Sequence, residues 1–319
     1  MLPQPLVSII LPARNEADNL AEILRRLHAA LAGEAANYEI IVVDDGSTDT
    51  TVATLRTLRQ SDVNLRFIRL ARNFGKEAAL SCGLAAARGR AVATLDCDLQ
   101  HPPELLTNML AAWRGGAEIV MGLRRNRSGD GKLRRFLTKG YYYLMSRLSE
   151  VAIPVGLGDY NLYDRKVVDA LLRLPERNRY MKGLVSWVGF KRAFVPVHTA
   201  TRQNGQSRFS LVQLMRFALV ALTSFSNVPL KIWSGLGVLL SLFALGYGLY
   251  LTLWTLLFGI DVPGYASLMV AVLFLGGIQL ISLGVIGEYL GRVFTEVKAR
   301  PLYLEAGREG FDDGTAVTD

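Results

Sequence analysis

The chain has 319 residues, half of them hydrophobic, with 36 Lys and Arg against 28 Asp and Glu, a net charge of +8 and a mean hydropathy of +0.24. A chain this apolar offsets its ordering entropy, which excludes disorder, and two cysteines, Cys82 and Cys97, exclude a disulfide scaffold and read as free thiols. Length alone predicts roughly two domains, and the uneven spread of apolar residues argues against a purely soluble protein.

Short apolar runs bounded by polar turns alternate with amphipathic stretches through the first 121 residues. Strands are expected at Leu6–Leu11, Glu39–Val43, Arg66–Leu70, Ala91–Leu95 and Glu118–Met121, and helices at Ala17–Leu31, Thr50–Leu58, Lys76–Ala87 and Pro103–Trp113. Asn15 or Asp18 is expected to cap the first helix and Asp49 the second. Alternation of this kind predicts a mostly parallel sheet covered on both faces, whose ligands bind beyond the carboxyl ends of the strands.

Polar clusters fall at those ends. Pro12-Ala13-Arg14-Asn15-Glu16 follows the first strand, Asp44-Asp45-Gly46-Ser47-Thr48-Asp49 the second, and Asp96-Cys97-Asp98-Leu99-Gln100 the fourth. One crevice would receive all three. Neither G-x-G-x-x-G after the first strand nor G-x-x-x-x-G-K-[ST] occurs, which argues against a nicotinamide enzyme and a P-loop ATPase. Asp96 and Asp98 flank a tight turn, an all-oxygen site suited to Mg²⁺ or Mn²⁺ shared with substrate phosphates, with Gln100 adding a neutral oxygen. A solvated turn is the plainer alternative. Asp44 and Asp45 offer acceptors to a nucleobase or ribose, or else satisfy the start of the next helix. Arg14 meets a phosphate or pairs with Glu16.

Further on, the basic run Arg124, Arg125, Arg127, Lys132 reads as a solvated loop or one closing over phosphates. Arg134–Leu148 and Leu211–Phe225 are candidate interfacial helices. From Ile232 to Gly287 the only charged residue is Asp261, leaving two uncharged runs, Ile232–Ile260 and Val262–Gly287, each long enough to span a bilayer core of about 30 Å. Arg202, Arg208, Arg216 and Lys231 precede them and Arg292, Lys298, Arg300 and Arg308 follow, so both termini are expected in the cytoplasm. Residues 1–5 show no signal-peptide pattern. The basic excess is partly juxtamembrane, where it meets anionic lipid, and no nucleic-acid recognition motif occurs. The polar tail from Gly307 is expected to fray.

Leu6–Leu20, Glu39–Thr51, Asn73–Gly75 and Thr94–Glu104 together resemble family 2 glycosyltransferases of the GT-A fold. The closer resemblance is to polyprenyl-phosphate glycosyltransferases, among them dolichol-phosphate mannose synthases, bactoprenol glucosyltransferases and undecaprenyl-phosphate formamido-arabinose transferases. It continues through Gly158–Leu171, Arg202–Ser210 and Gly287–Pro301. It implies an α/β, Rossmann-like GT-A domain over residues 1–210, a juxtamembrane interfacial helix over 211–231, a two-helix transmembrane hairpin over 232–290 and a cytoplasmic segment over 291–319, in a bacterial inner membrane.

The implied reaction carries a sugar from a nucleotide-diphosphate sugar, a UDP-sugar by default, to a polyprenyl phosphate such as undecaprenyl phosphate, with inversion and with Mg²⁺ or Mn²⁺. The resemblance places Pro12, Arg14, Asn15, Glu16, Asp44, Asp45, Lys76 and Asp96 at the donor, and Asp96, Asp98 and Gln100 at the metal. Asp159 and Asp98 fall at the reacting centre, and Arg124, Arg202, Ser207 and Arg208 at the acceptor phosphate. It also implies self-association and no nucleic-acid partner. Asn161 stands where many relatives carry Arg. An inactive sugar-nucleotide-binding scaffold for a partner transferase or flippase is the alternative, against which the intact D-x-D counts.

Overall fold

Strand β1 (Val7–Ala13) is apolar on both faces, and five of its seven residues are hydrophobic and buried. Strand β2 (Tyr38–Asp44) repeats the pattern with Ile40, Ile41, Val42 and Val43 inaccessible. Runs without polar alternation belong to strands covered on both sides. The computed structural model describes residues 5–33, 37–99, 102–124, 157–177, 179–197, 228–259 and 264–311. Gln100, Arg202, Ser207, Arg208 and both candidate interfacial helices lie outside that set, as does the side chain of Arg124.

Helix α1 (Ala17–Leu31) buries Leu20, Ile23, Leu24, Leu27 and Leu31, a stripe at helical spacing. Next come α2 (Thr51–Ser61), β3 (Leu65–Leu70), α3 (Lys76–Ala86), β4 (Ala91–Thr94), α4 (Leu105–Arg114) and β5 (Ile119–Arg124). Each matches an expected element to within a few residues. Beyond the expected set lie β6 (Leu157–Asp164), α5 (Arg165–Arg173), α6 (Met181–Trp187) and β7 (Arg192–Val197). The Asp164 carboxylate caps α5 by accepting from Lys166 N at 3.1 Å, and accepts from Trp113 Nε1 at 2.8 Å.

Helices α7 (Val228–Phe258) and α8 (Tyr265–Val297) correspond to the two uncharged runs. Both are long and apolar enough to cross a membrane, and they bear exposed Leu, Val and Phe along their length. At 33 residues α8 is roughly 50 Å long. It outlasts the apolar run, and in its last turns Arg292 pairs with Glu288 at 3.1 Å. A final strand, β8 (Glu305–Glu309), follows.

The eight strands form one sheet in the order β7-β5-β6-β4-β1-β2-β3-β8. Pairing is parallel between β1 and β2, β1 and β4, β2 and β3, and β5 and β7. It is antiparallel where β6 joins β4 and β5 and where β8 joins β3. The sheet is therefore mostly parallel, as expected.

The fraying expected from Gly307 is corrected for residues 307–309, and residues 312–319 of that tail lie outside the described set. Gly307 to Glu309 belong to β8, paired on the outer edge of β3 with Phe67 opposite Glu309 and Ile68 opposite Arg308. Glu-Ala-Gly-Arg-Glu has little strand propensity. Backbone pairing holds it, aided by the Arg56–Glu309 ion pair at 2.9 Å and by Ala71 N donating to Leu304 O at 2.8 Å. The chain divides into two compact units, and the described residues from Arg300 onward group with the α/β unit, while α7 and α8 form the other.

Candidate active site

Three parallel strands deliver their polar ends to one crevice. Beyond β1, Asn15 adopts a left-handed backbone, φ 55°, tolerable for Asn. Its side chain does not cap α1. Asn15 Oδ1 accepts from Thr48 N at 2.9 Å, and Asn15 N donates to Ser47 Oγ at 2.9 Å, stitching the first polar loop to the second. At α2 the N-cap residue is Thr50, which makes no side-chain cap, and the expected Asp49 lies one residue before it, accepting from Thr51 N at 3.0 Å.

The two acids ending β2 part company. Asp44 is buried and accepts from Ser47 N at 3.2 Å, a turn-closing role. Burial raises its pKa, against the Ser47 hydrogen bonds. Asp45 lines the crevice and accepts from Phe74 N at 2.7 Å and Gly75 N at 3.0 Å. Gly46 between them and Ser47 has φ +67°, and a Cβ there would lie 2.6 Å from the backbone of Arg72 and Asn73. The close approach of the 72–75 loop therefore requires glycine.

The resulting cavity, about 480 Å³, is lined by Pro12, Ala13, Arg14, Glu16, Asp45, Asn73, Gly75, Lys76, Asp96, Cys97 and Asp98. Four carboxylates face two cations, so the lining is net negative. Glu16 registers this: its pKa is raised by burial first, against a hydrogen bond from Asn19, and further by Asp98, Asp96 and Asp49. Arg14 has no ion pair with Glu16 among the described residues; Glu16 accepts from Asn19 Nδ2 at 2.6 Å instead. Leu99, directly after Asp98, also sits at φ 55°, strained for a leucine. Cys97, buried between the two acids, has its thiol pushed well up by desolvation and by Glu16, Asp96 and Asp98.

Lys76, the first residue of α3, reaches Asp96 Oδ1 at 2.6 Å and Asp159 Oδ2 at 3.0 Å. Lys182, in the first turn of α6, reaches Asp159 Oδ1 at 2.9 Å. Desolvation opposes the charge on Asp159, but Lys182 and Lys76 outweigh it and hold this carboxyl well below the usual range. Burial disfavours the charge on Lys76, and Asp159 and Asp96 more than restore it. Glu77, the next residue, is raised to about 7 by desolvation, against a hydrogen bond from Met181 N, with Asp159 raising and Lys76 and Lys182 lowering it. Its Oε2 is buried without a partner among the described residues.

Of the residues expected at the site, Pro12, Arg14, Glu16, Asp45, Lys76, Asp96 and Asp98 line one cavity, and Asp159 is joined to it through Lys76. Asn15 and Asp44 shape its loops instead. Asn161 is buried on β6 opposite Thr94. Sequence reasoning missed Lys182 and Glu77. Each meets Asp159 or Met181 only through the fold, and no local pattern marks either.

The donor set suits a divalent cation in one particular way. Among the described residues no three His, Cys, Asp or Glu side chains gather closely enough to hold a metal by themselves. Two carboxylates in a net negative pocket fit Mg²⁺-type binding, in which one or two acids share the ion with substrate phosphates.

Residues 8–172 match the glycosyl transferase family 2 model, and residues 228–293 match the GtrB C-terminal hairpin. An uncharacterized glycosyltransferase of Synechocystis is 49% identical over 96% of both chains. The SfII prophage-derived bactoprenol glucosyl transferase of Shigella flexneri is 39% identical over 93% of this chain and 96% of its own. The prophage bactoprenol glucosyl transferase homolog of Escherichia coli is 39% identical over 93% and 97%. Among solved structures, the mannosyltransferase PcManGT of Pyrobaculum calidifontis, in complex with GDP-Man and Mn²⁺, aligns over 64% of this chain and 59% of its own, at 19% identity and TM-score 0.46.

Proposed function

The chain belongs to glycosyl transferase family 2, and on that premise we propose that it moves a sugar from a nucleotide-diphosphate sugar to a polyprenyl phosphate, undecaprenyl phosphate in a bacterial inner membrane. One observation carries the reading. An acid-lined cavity at the carboxyl ends of β1, β2 and β4 is built into a chain that aligns, apolar helices included, with proteins named bactoprenol glucosyl transferase. Helices α7 and α8 cross the membrane in this reading, with both termini cytoplasmic. Self-association of the chain is part of the same proposal.

The chemistry follows from the groups present. The bond between the anomeric carbon and the donor diphosphate breaks, a bond from that carbon to an acceptor phosphate oxygen forms, and a nucleoside diphosphate leaves. A single displacement inverts the anomeric carbon. A phosphate monoester carries about −1.5 to −2 charges at pH 7, so the nucleophile needs no strong base. That agrees with Asp159, which two ammonium groups make a poor proton acceptor. Arg14, Glu16, Asp45 and the Pro12 backbone face the donor, with uridine the default base. Arg124, Arg202, Ser207 and Arg208 belong to the acceptor side in this proposal. Asp96, Asp98 and Gln100 would hold Mg²⁺ or Mn²⁺, which when bound neutralises charge on the leaving diphosphate.

The test uses the full chain in detergent with Mn²⁺ or Mg²⁺, undecaprenyl phosphate and a panel of nucleotide sugars, with mass spectrometry of the lipid. One donor is expected to yield a glycosylated lipid phosphate, lost with chelator. Nucleotide binding with no lipid product from any donor would defeat the reading in favour of a non-catalytic scaffold.

A further inference from the structure

We propose that Lys182 is a phosphate-binding residue for the acceptor, held ready by Asp159; the proposal rests on the transfer reaction above. Four side chains of alternating charge form a line: Asp96, Lys76, Asp159, Lys182, with successive contacts of 2.6, 3.0 and 2.9 Å. The first two line the donor cavity, and the last two lie outside its lining. The line therefore leads away from the donor diphosphate site, and the Lys182 side chain at its far end is about one-third exposed.

The charges decide what such a group can receive. The cavity itself is net negative, so an anionic acceptor is repelled from its carboxylates. Lys182 is the cation that the line offers on the far side of Lys76. An acceptor phosphate carries up to two charges against the one on Asp159 and has three oxygens to offer. Lys182 then exchanges Asp159 Oδ1 for a phosphate oxygen, while Asp159 keeps Lys76 on Oδ2. Asp159 Oδ1 gives up one partner in that exchange, and Lys76 stays as the counter-charge on Oδ2.

A second tie fixes the geometry. Glu77 follows Lys76 on α3 and accepts from the backbone N–H of Met181, which precedes Lys182 on α6. Two adjacent residues on one helix thus hold two adjacent residues on the other, one pair through Asp159 and one directly. This registers the Lys182 side chain against the donor cavity without requiring it to line that cavity.

The experiment compares wild type, Lys182→Ala and Lys182→Arg as full chains in detergent, varying undecaprenyl phosphate at saturating donor and then the reverse. A lost charge-assisted contact predicts an acceptor KM raised about 10- to 100-fold in Lys182→Ala, a donor KM within a factor of about two, and recovery of most of the loss by Lys182→Arg. A raised donor KM with unchanged acceptor KM would place Lys182 on the donor diphosphate and overturn the proposal. A fall in kcat with both KM values unchanged, not rescued by Arg, would reduce Lys182 to a support for Asp159 and also overturn it. Binding of farnesyl monophosphate, measured without donor, separates this from failure of the reaction itself. Should the wild type transfer nothing, equal affinity of wild type and Lys182→Ala would still refute the assignment, and weaker binding by Lys182→Ala would still support it.

Discussion

Two ionic clusters lie at opposite ends of the same parallel strands, and they are built differently. At the amino end, Glu39 of β2 is 2% exposed and accepts from Ser8 Oγ at 2.5 Å, Arg66 Nη1 at 2.6 Å and Arg88 N at 2.8 Å. Ser8 Oγ also accepts from Gly89 N at 2.7 Å. That cluster is sealed, and its partners are neighbouring strands and the loop before β4. At the carboxyl end, Asp96, Lys76, Asp159 and Lys182 are each about one-fifth to two-fifths exposed, and the first two line a cavity. The first arrangement fixes strands in register. The second keeps partners that an incoming anion or cation can replace.

The sharpest way to break the comparison is to remove one acid from each end. Glu39→Ala strands Arg66 and the Ser8 hydroxyl in the interior, and breaking a buried pair costs about 3–5 kcal/mol. Thermal unfolding of the detergent-solubilised chain is expected to shift down strongly. Asp98→Ala acts in the other direction. It relieves a crowded, net negative pocket, so the melting temperature is expected to hold, while on the proposed role of Asp98 at the metal and diphosphate, lipid-product formation falls at least about 100-fold. Equal thermal losses in the two variants would erase the distinction between the two ends.

How legible each end was in the sequence follows the same division. The carboxyl-end acids were readable because strand ends in such a sheet converge, and local strings such as Asp96-Cys97-Asp98 mark the turn directly. The expected strands and helices through residue 121 were readable from apolar periodicity. The Glu39 cluster was not, because its partners lie 27, 31 and 49 residues away and each looks like an ordinary strand or loop residue. Lys182 was hidden for the same reason, 23 residues from Asp159 and in no motif. Strand β8 was hidden because its stability comes from the free edge of β3 and not from its own composition. Asp44 and Asp45, adjacent in sequence, differ in role because the first, ending β2, bonds its own turn at Ser47 and the second bonds the 72–75 loop.

A smaller effect probes how the carboxyl end is assembled. Gly46→Ala places a methyl group 2.6 Å from the backbone of Arg72 and Asn73, at φ +67°. The strain is about 1–3 kcal/mol. Since Asp45 holds Phe74 and Gly75 across the same gap, nucleotide affinity is expected to fall together with melting temperature, unlike the pattern for Asp98→Ala. Calorimetric titration of UDP with Mn²⁺ checks it. Unchanged affinity in a destabilised variant would mean that the 72–75 loop does not shape the donor cavity.

The smallest expected effect sits at Glu77 and depends on pH. Desolvation raises this carboxyl to about 7, with Asp159 adding and Met181 N, Lys76 and Lys182 opposing. The folded chain therefore holds a proton that the unfolded chain releases near the usual value of about 4.5. The stability contributed by that proton is fully present below pH 4.5 and is lost as pH rises through 7. Glu77→Gln keeps the neutral form, and its amide oxygen still accepts from Met181 N. The variant is expected to match wild type near pH 4.5 and to exceed it by about 1–3 kcal/mol at pH 8, read as a melting-temperature gap that opens between those two values. A pH-dependent gain at Glu77 would mark its surroundings as a place where the fold holds charge at its own expense. A gap of the same size at pH 4.5 and pH 8 would show that Glu77 is ionised throughout and that its unpartnered oxygen meets solvent.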